Sequence, residues 1–197
     1  MRAIPSSELI INADGSIFHL HLRPEHLADT VILVGDPGRV AMISEYFDEK
    51  ECEIANREFL TVTGKYKGKR MTVMSTGIGI GNIDIAVTEL DALANIDFES
   101  RQVKENFRRL NLVRLGTSGA IQQDIEVGEV VFSRTSLGFD GIISISVFDK
   151  ICNAINKHGC FSASRARKHQ KRTLYGCNRA ELHIVYIGKF FFYYTSS

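Results

Sequence analysis

Thr30-Val-Ile-Leu-Val-Gly-Asp-Pro-Gly-Arg-Val40 is the stretch whose reading decides the fold. Its first five residues form a continuous apolar run closed by Gly35, the pattern of a strand covered on both faces. Asp36-Pro37-Gly38 breaks the run. From Arg39 onward Val40, Ile43 and Phe47 recur at helical spacing. A buried strand passing through a glycine turn into a helix is the opening unit of an α/β layer.

The same grammar continues outward. Phe59-Leu-Thr-Val-Thr63 and Arg70-Met-Thr-Val-Met-Ser75 alternate as strands around a polar turn, Gly64-Lys-Tyr-Lys-Gly68. Thr76-Gly-Ile-Gly-Ile-Gly81 is a glycine-rich loop, and Asn82 to Ala94 reads as a helix with Ile85, Leu90 and Leu93 among its apolar positions. Leu110-Asn-Leu-Val-Arg-Leu-Gly116 is another buried strand, followed by the loop Thr117-Ser-Gly-Ala-Ile121 and a further strand, Val127 to Ser133. Nearer the start, Ile17-Phe-His-Leu-His-Leu22 alternates, which predicts a strand with His19 and His21 on one face. The expectation is an α/β fold, a mixed or largely parallel sheet flanked by helices, with three glycine loops (after Val34, Ser75 and Leu115) meeting at one rim. Ligands of such sheets bind at that rim.

Gly35 permits close backbone approach, and the helix start after it offers N–H groups to an anion. Arg39 and Arg114 flank two of the loops and carry the planar donor fork that grips phosphate or carboxylate, while Thr117 adds a hydroxyl. No P-loop is present, and Gly77-Ile-Gly-Ile-Gly81 lacks dinucleotide-binding spacing. On the residues alone two readings stay open. Arg39 and Arg114 form an anion clamp, or Arg39 is a solvated helix residue and Arg114 is paired with a core carboxylate. Asp36 and Pro37 read as turn formers.

Composition sets limits. With 197 residues the chain can bury a core, and a net charge of +1 points to no polyanionic partner. Residues 142–197 nonetheless hold nine Lys and Arg against two Asp and Glu, nine of the eighteen Phe and Tyr, and three of the four Cys. This abrupt shift divides the chain into residues 1–141 and a basic, aromatic-rich segment 142–197. Met1 to Glu8 lacks the apolar core of a secretion signal, and Ile184 to Tyr194 is too short to span a bilayer. A reducing cytoplasm is the expected compartment. The run Arg165 to Arg172 reads as a solvated basic stretch rather than a nucleic-acid patch, and Cys152, Cys160, Cys177 and His183 lack metal-ligand spacing. The expectation is no nucleic acid and no membrane.

Five short motifs stand in a fixed order: Phe18-His-Leu20, Gly35-Asp-Pro-Gly-Arg-Val40, Asn56-Arg-Glu-Phe59, Ser75-Thr-Gly-Ile-Gly79 and Val113-Arg-Leu-Gly-Thr-Ser-Gly-Ala-Ile121. Taken together they resemble the nucleoside phosphorylase family, and within it the uridine phosphorylase type. The resemblance implies phosphorolysis, in which phosphate attacks C1′ of a nucleoside to give free base and ribose 1-phosphate. It implies no cofactor, with inorganic phosphate as co-substrate. Gly35, Arg39, Arg114 and Thr117 would hold phosphate, with Arg39, Arg114 and Thr117 as the catalytic group and Thr117 also at the ribose. Arg57 would reach the phosphate of a neighbouring subunit, and His19 the ribose 5′-hydroxyl across the same interface. Homo-oligomers with shared sites follow, as dimers or hexameric rings of dimers. Glu58, Ile78 and Asn82 match positions where some relatives hold a monovalent cation, but Asn82 replaces their usual Ser, so no metal is expected.

The resemblance runs from Ile17 to Gly141. The Gln and Arg that recognise the base, and the Met-Glu pair that binds ribose in the family, have no counterpart in residues 142–197, where Glu181 is the sole glutamate and no Met follows Met74. The family pattern thus looks truncated, and a non-catalytic homologue or a purine-specific phosphorylase stand as alternatives. A nucleosidase fits less well, because it uses water and needs no clamp such as Arg39 and Arg114.

Overall fold

The computed structural model describes residues 3–117, together with Gly128 and Val130. The expected strand Val127 to Ser133, the loop beyond Thr117 and the segment 142–197 lie outside the described residues. Strand β1 (Thr30–Val34) leads into helix α1 (Pro37–Ser44). The helix begins two residues before the apolar spacing suggested, because Pro37 fits the first turn and Asp36 caps it, its carboxylate accepting from the Gly38 amide at 2.9 Å. Strands β2 (Glu49–Asn56), β3 (Phe59–Tyr66) and β4 (Lys69–Ser75) form a meander, and helix α2 (Ile80–Asn95) follows. The hairpin β5 (Ile96–Asp97) and β6 (Gln102–Val103) interrupts the long connection to β7 (Asn111–Leu115).

The sheet order is β2-β3-β4-β1-β7. β1 runs parallel to β4 and β7, while β2, β3 and β4 are antiparallel neighbours, so the sheet is mixed, as expected. Alternation along β1 assigns its two faces. Val31 and Leu33 enter the larger core with Leu90 and Leu93 of α2, Phe59, Met74 and the N-terminal Leu9, Ile17, Leu20 and Leu22. Val34, with Ile32 beside it, joins Val40, Val62 and Val73 under α1. The molecule is therefore helix, sheet, helix in three layers, with the N-terminal segment sharing the α2 side.

Two expectations give way. The alternation over Ile17 to Leu22 is not a strand but a tight turn, closed by Ile17 N–H to the Leu22 carbonyl (2.8 Å) and His21 N–H to the Ile17 carbonyl (3.0 Å), with His21 at φ 56°. A strand would have used the amides of His19 and Leu20 in a ladder; both instead donate to the Glu89 carboxylate. His19 and His21 accordingly part company, His21 turning to Asp14 at 3.2 Å. The second is Gly64-Lys-Tyr-Lys-Gly68: β3 continues to Tyr66, and only Lys67 and Gly68, at φ 48° and 75°, make the turn.

Asp91 on α2 is 5% exposed. Burial pushes its carboxyl up, and the Asn95 amide, donating at 2.8 Å, pulls it partly back. A raised folded-state value means the native protein holds this proton more tightly than the unfolded chain does. Its contribution to stability is full below the ordinary carboxylate range and is lost as pH rises through the folded value. Asp91→Asn is expected to be more stable than the parent at pH 7, the advantage shrinking toward pH 3, in urea titrations at both values.

Candidate functional site

Parallel pairing of β1 with β4 and β7 brings Gly35, Thr76 and the end of β7 to one rim. The Thr76 amide donates to the Val34 carbonyl at 2.8 Å, and its hydroxyl reaches the same carbonyl at 3.2 Å, which ties the glycine loop after β4 to the end of β1. Arg114, half buried in β7 opposite Leu33, extends its guanidinium over Gly35. Its Nη1 donates to Thr76 Oγ1 at 3.4 Å, and its Nη2 lies 3.6 Å from the point a Cβ on Gly35 would occupy. Arg39, in the first turn of α1, is half buried on the loop that starts at Gly35. Thr117 is exposed two residues after β7. Gly35, Arg39, Arg114 and Thr117 thus share one rim, and Thr76, which the sequence reading passed over, anchors the arginine.

An alanine at 35 meets only contacts of 3.6 Å to Arg114 Nη2 and 3.8 Å to the Gly77 carbonyl, so nothing in the fold forbids it. The added methyl would instead stand between the backbone amide and the guanidinium. If this rim holds phosphate as the motif resemblance implies, Gly35→Ala is expected to leave the melting temperature nearly unchanged while weakening phosphate on the order of tenfold, about one hydrogen bond to a charged group. Phosphate titration by calorimetry checks this; a loss of stability with unchanged affinity would refute it.

Because β3 runs back along β4, the β2–β3 turn lies at the same rim. Ser75 at the end of β4 pins it, its Oγ donating to the Glu58 carbonyl at 2.6 Å and accepting from the Leu60 amide at 2.8 Å. Arg57 occupies this two-residue turn at φ 55°, exposed, with its guanidinium 5.6 Å from the Phe18 ring centroid. Phe18 meets the His19 ring edge to face at 4.7 Å. Arg57, Phe18 and His19 therefore form one patch, separated from Arg114 by three strand spacings, on the order of 14 Å.

His19 is held by Glu89, whose Oε1 is 2.6 Å from Nδ1. Sequence reading missed Glu89, although a carboxylate three residues after the buried Ala86 and four before the buried Leu93 was a signal that the helix turns a polar group inward. Glu58, Ile78 and Asn82 do gather, around Gly77. A Cβ there would lie 2.9 Å from both Asn82 Nδ2 and Glu58 Cγ. The Asn82 amide donates to the Ile78 carbonyl at 3.3 Å. Among the described residues no cluster of three or more His, Cys, Asp and Glu could hold a metal. Nor is any described helix long and apolar enough to cross a membrane.

A family model described as the phosphorylase superfamily matches residues 29–174. The chain belongs to that superfamily. A uridine phosphorylase of Thermococcus kodakarensis is 35% identical over 136 residues, covering 69% of this chain and 44% of the relative. A purine nucleoside phosphorylase of Bacillus thuringiensis is 38% identical over 119 residues, covering 60% and 45%. A solved Trypanosoma brucei nucleoside phosphorylase, described as showing uridine phosphorylase activity, superposes with a TM-score of 0.65 at 31% identity, covering 76% of this chain and 53% of that one. The chain thus spans less than half the length of these curated relatives.

Proposed function

We propose that the chain supplies the phosphate half of a pyrimidine nucleoside phosphorylase, converting uridine and phosphate to uracil and ribose 1-phosphate. The observation that carries this is Arg114 laid over Gly35 and tied to Thr76. A bare glycine, a guanidinium and a helix start at one rim favour an anion that presents several oxygens. A phosphate oxygen forms the bond to C1′ as the bond from C1′ to the base nitrogen breaks, and that electron pair leaves with the base. Positive charge develops on the ribose, so a phosphate dianion fixed by Arg39, Arg114, the Gly35 amide and Thr117 acts as nucleophile and counter-charge together.

The Arg57, Phe18 and His19 patch supports a shared site. The Arg57 guanidinium turns to Phe18, so we assign the patch to a neighbouring subunit's nucleoside and phosphate in a homo-oligomer, Arg57 at the phosphate and His19 at the ribose 5′-hydroxyl. No cofactor enters the reaction, and the cytoplasm is its setting. A purine substrate is the second reading, favoured by the 38% identity to the Bacillus thuringiensis relative.

Purified chain incubated with uridine or inosine, with and without phosphate, tests both. Phosphate-dependent uracil release supports the proposal, and hypoxanthine release alone moves it to the purine reading. No base release above an Arg114→Ala control overturns the enzyme reading in favour of a non-catalytic homologue.

A further inference from the structure

We infer that Glu89 is a positioning residue that fixes His19 as a hydrogen-bond acceptor, so that the position takes a free hydroxyl and rejects a phosphate ester. The inference rests on the reading of His19 as a ribose contact. Glu89 stands on the buried half of α2, its side chain 12% exposed, next to Leu90 and Leu93 of the core. Its Oε1 contacts His19 Nδ1 at 2.6 Å and the His19 amide at 3.1 Å, and its Oε2 contacts the His19 amide at 3.1 Å and the Leu20 amide at 2.9 Å. A backbone N–H can only donate, so both oxygens are acceptors. A carboxylate whose two oxygens accept from the His19 and Leu20 amides offers no donor to the ring, so the proton of the short contact sits on Nδ1.

That choice determines the other nitrogen. A neutral ring with Nδ1–H carries its lone pair on Nε2. Nε2 can then accept from a hydroxyl, as the 5′-hydroxyl of a nucleoside provides. It cannot receive a hydrogen bond from a phosphate dianion, which has no proton to give. The turn is fixed from a second element as well, since the Asn56 amide at the end of β2 donates to the His19 carbonyl at 2.7 Å. The ring is therefore anchored to α2 and its backbone to the sheet, and its orientation does not depend on the ligand. One carboxylate thereby selects nucleosides over nucleoside 5′-phosphates.

The proton's location is directly observable. Long-range nitrogen–proton spectra of the histidine rings in the full chain, at a pH above the imidazole range, distinguish the two tautomers, with His19→Asn identifying the signals. We expect His19 to carry its proton on Nδ1, and Glu89→Gln, which offers one acceptor oxygen where the turn uses two, to lose that preference. A wild-type ring protonated on Nε2 overturns the inference, and so does an unchanged spectrum in Glu89→Gln. The second measurement is the ratio of kcat/KM for uridine to that for 5′-deoxyuridine. It should fall about tenfold in Glu89→Gln, to the level of His19→Ala, with the double variant no lower. A ratio that collapses in His19→Ala but persists in Glu89→Gln removes Glu89 from the account and leaves His19 in it. Absence of base release from any form defeats the phosphorolysis reading instead, and the ring spectra then decide Glu89 alone.

Discussion

Arg114→Ala is expected to lower kcat/KM for phosphate-dependent base release by two orders of magnitude or more, with little loss of stability. On the proposed function, the guanidinium fork would offer phosphate two charge-assisted hydrogen bonds, each worth about 1.5–3 kcal/mol. Losing about 3 kcal/mol of transition-state binding is about 150-fold. The loss should exceed that from a simple binding residue, because the same positive charge holds the dianion against the charge developing on ribose. The join between β1 and the loop after β4 should survive, since the Thr76 amide and hydroxyl hold the Val34 carbonyl without the guanidinium. Arg114→Lys should fall between the two, keeping the charge and losing the fork. Steady-state kinetics with phosphate as the varied substrate checks this. If Arg114→Ala retains more than a tenth of the parental kcat/KM, the clamp is assigned to the wrong residue.

The parts of the fold that were legible from sequence are those where side-chain burial alone dictates structure. β1 reads directly from Thr30 to Val34, because a strand covered by α1 on one face and α2 on the other must be apolar throughout. α2 reads for the same reason. β2 does not, because it is the sheet edge. Glu49, Lys50, Glu51 and Glu53 are exposed there, and Ile54 is the residue that packs on the core. Edge strands are kept charged, which erases the alternation that would announce them. The turn from Ile17 to Leu22 failed for a different reason. Its pattern is that of a strand, but Glu89 lies seventy residues away and takes the amides a strand would need. A long-range polar contact leaves no periodic trace.

The candidate site divides along the same line. Gly35, Arg39 and Arg114 could be placed at one rim because strand-to-loop order places them there. That Arg114 lies over Gly35, and that Thr76 receives it, depends on the register Leu33 to Arg114 between β1 and β7, which no local pattern specifies. The motif resemblance put Arg57 and His19 at one interface, but their contact through Phe18 was hidden, since it joins a hairpin turn to a distant earlier segment.

Gly64 carries the largest expected effect on stability. The sequence places it at the start of a turn, where an alanine would be harmless, but the structure places it inside β3 facing α1. A Cβ there would lie 2.3 Å from the Glu49 carbonyl oxygen, 2.6 Å from Phe47 Cδ2 and 3.2 Å from Lys50 Cα. Two of these three are backbone, so rotamer changes cannot relieve them. β2 already shifts register between Lys50 and Cys52 as it passes this point, which is how the strand accommodates Phe47 and Gly64 together. Gly64→Ala must push β2 outward or expel Phe47 from the cluster under α1, at a cost on the order of 3 kcal/mol. For a chain of this length that is roughly 6–12 °C in melting temperature. Phe47→Ala in the same chain should recover only part of the loss, because the Glu49 carbonyl remains in the way. Equilibrium urea unfolding of the single and double variants measures both quantities. A Gly64→Ala midpoint equal to the parent's would mean that β2 yields freely. The activity should fall with the stability here, unlike in Gly35→Ala, because Phe47 helps hold the helix that carries Arg39 against the sheet.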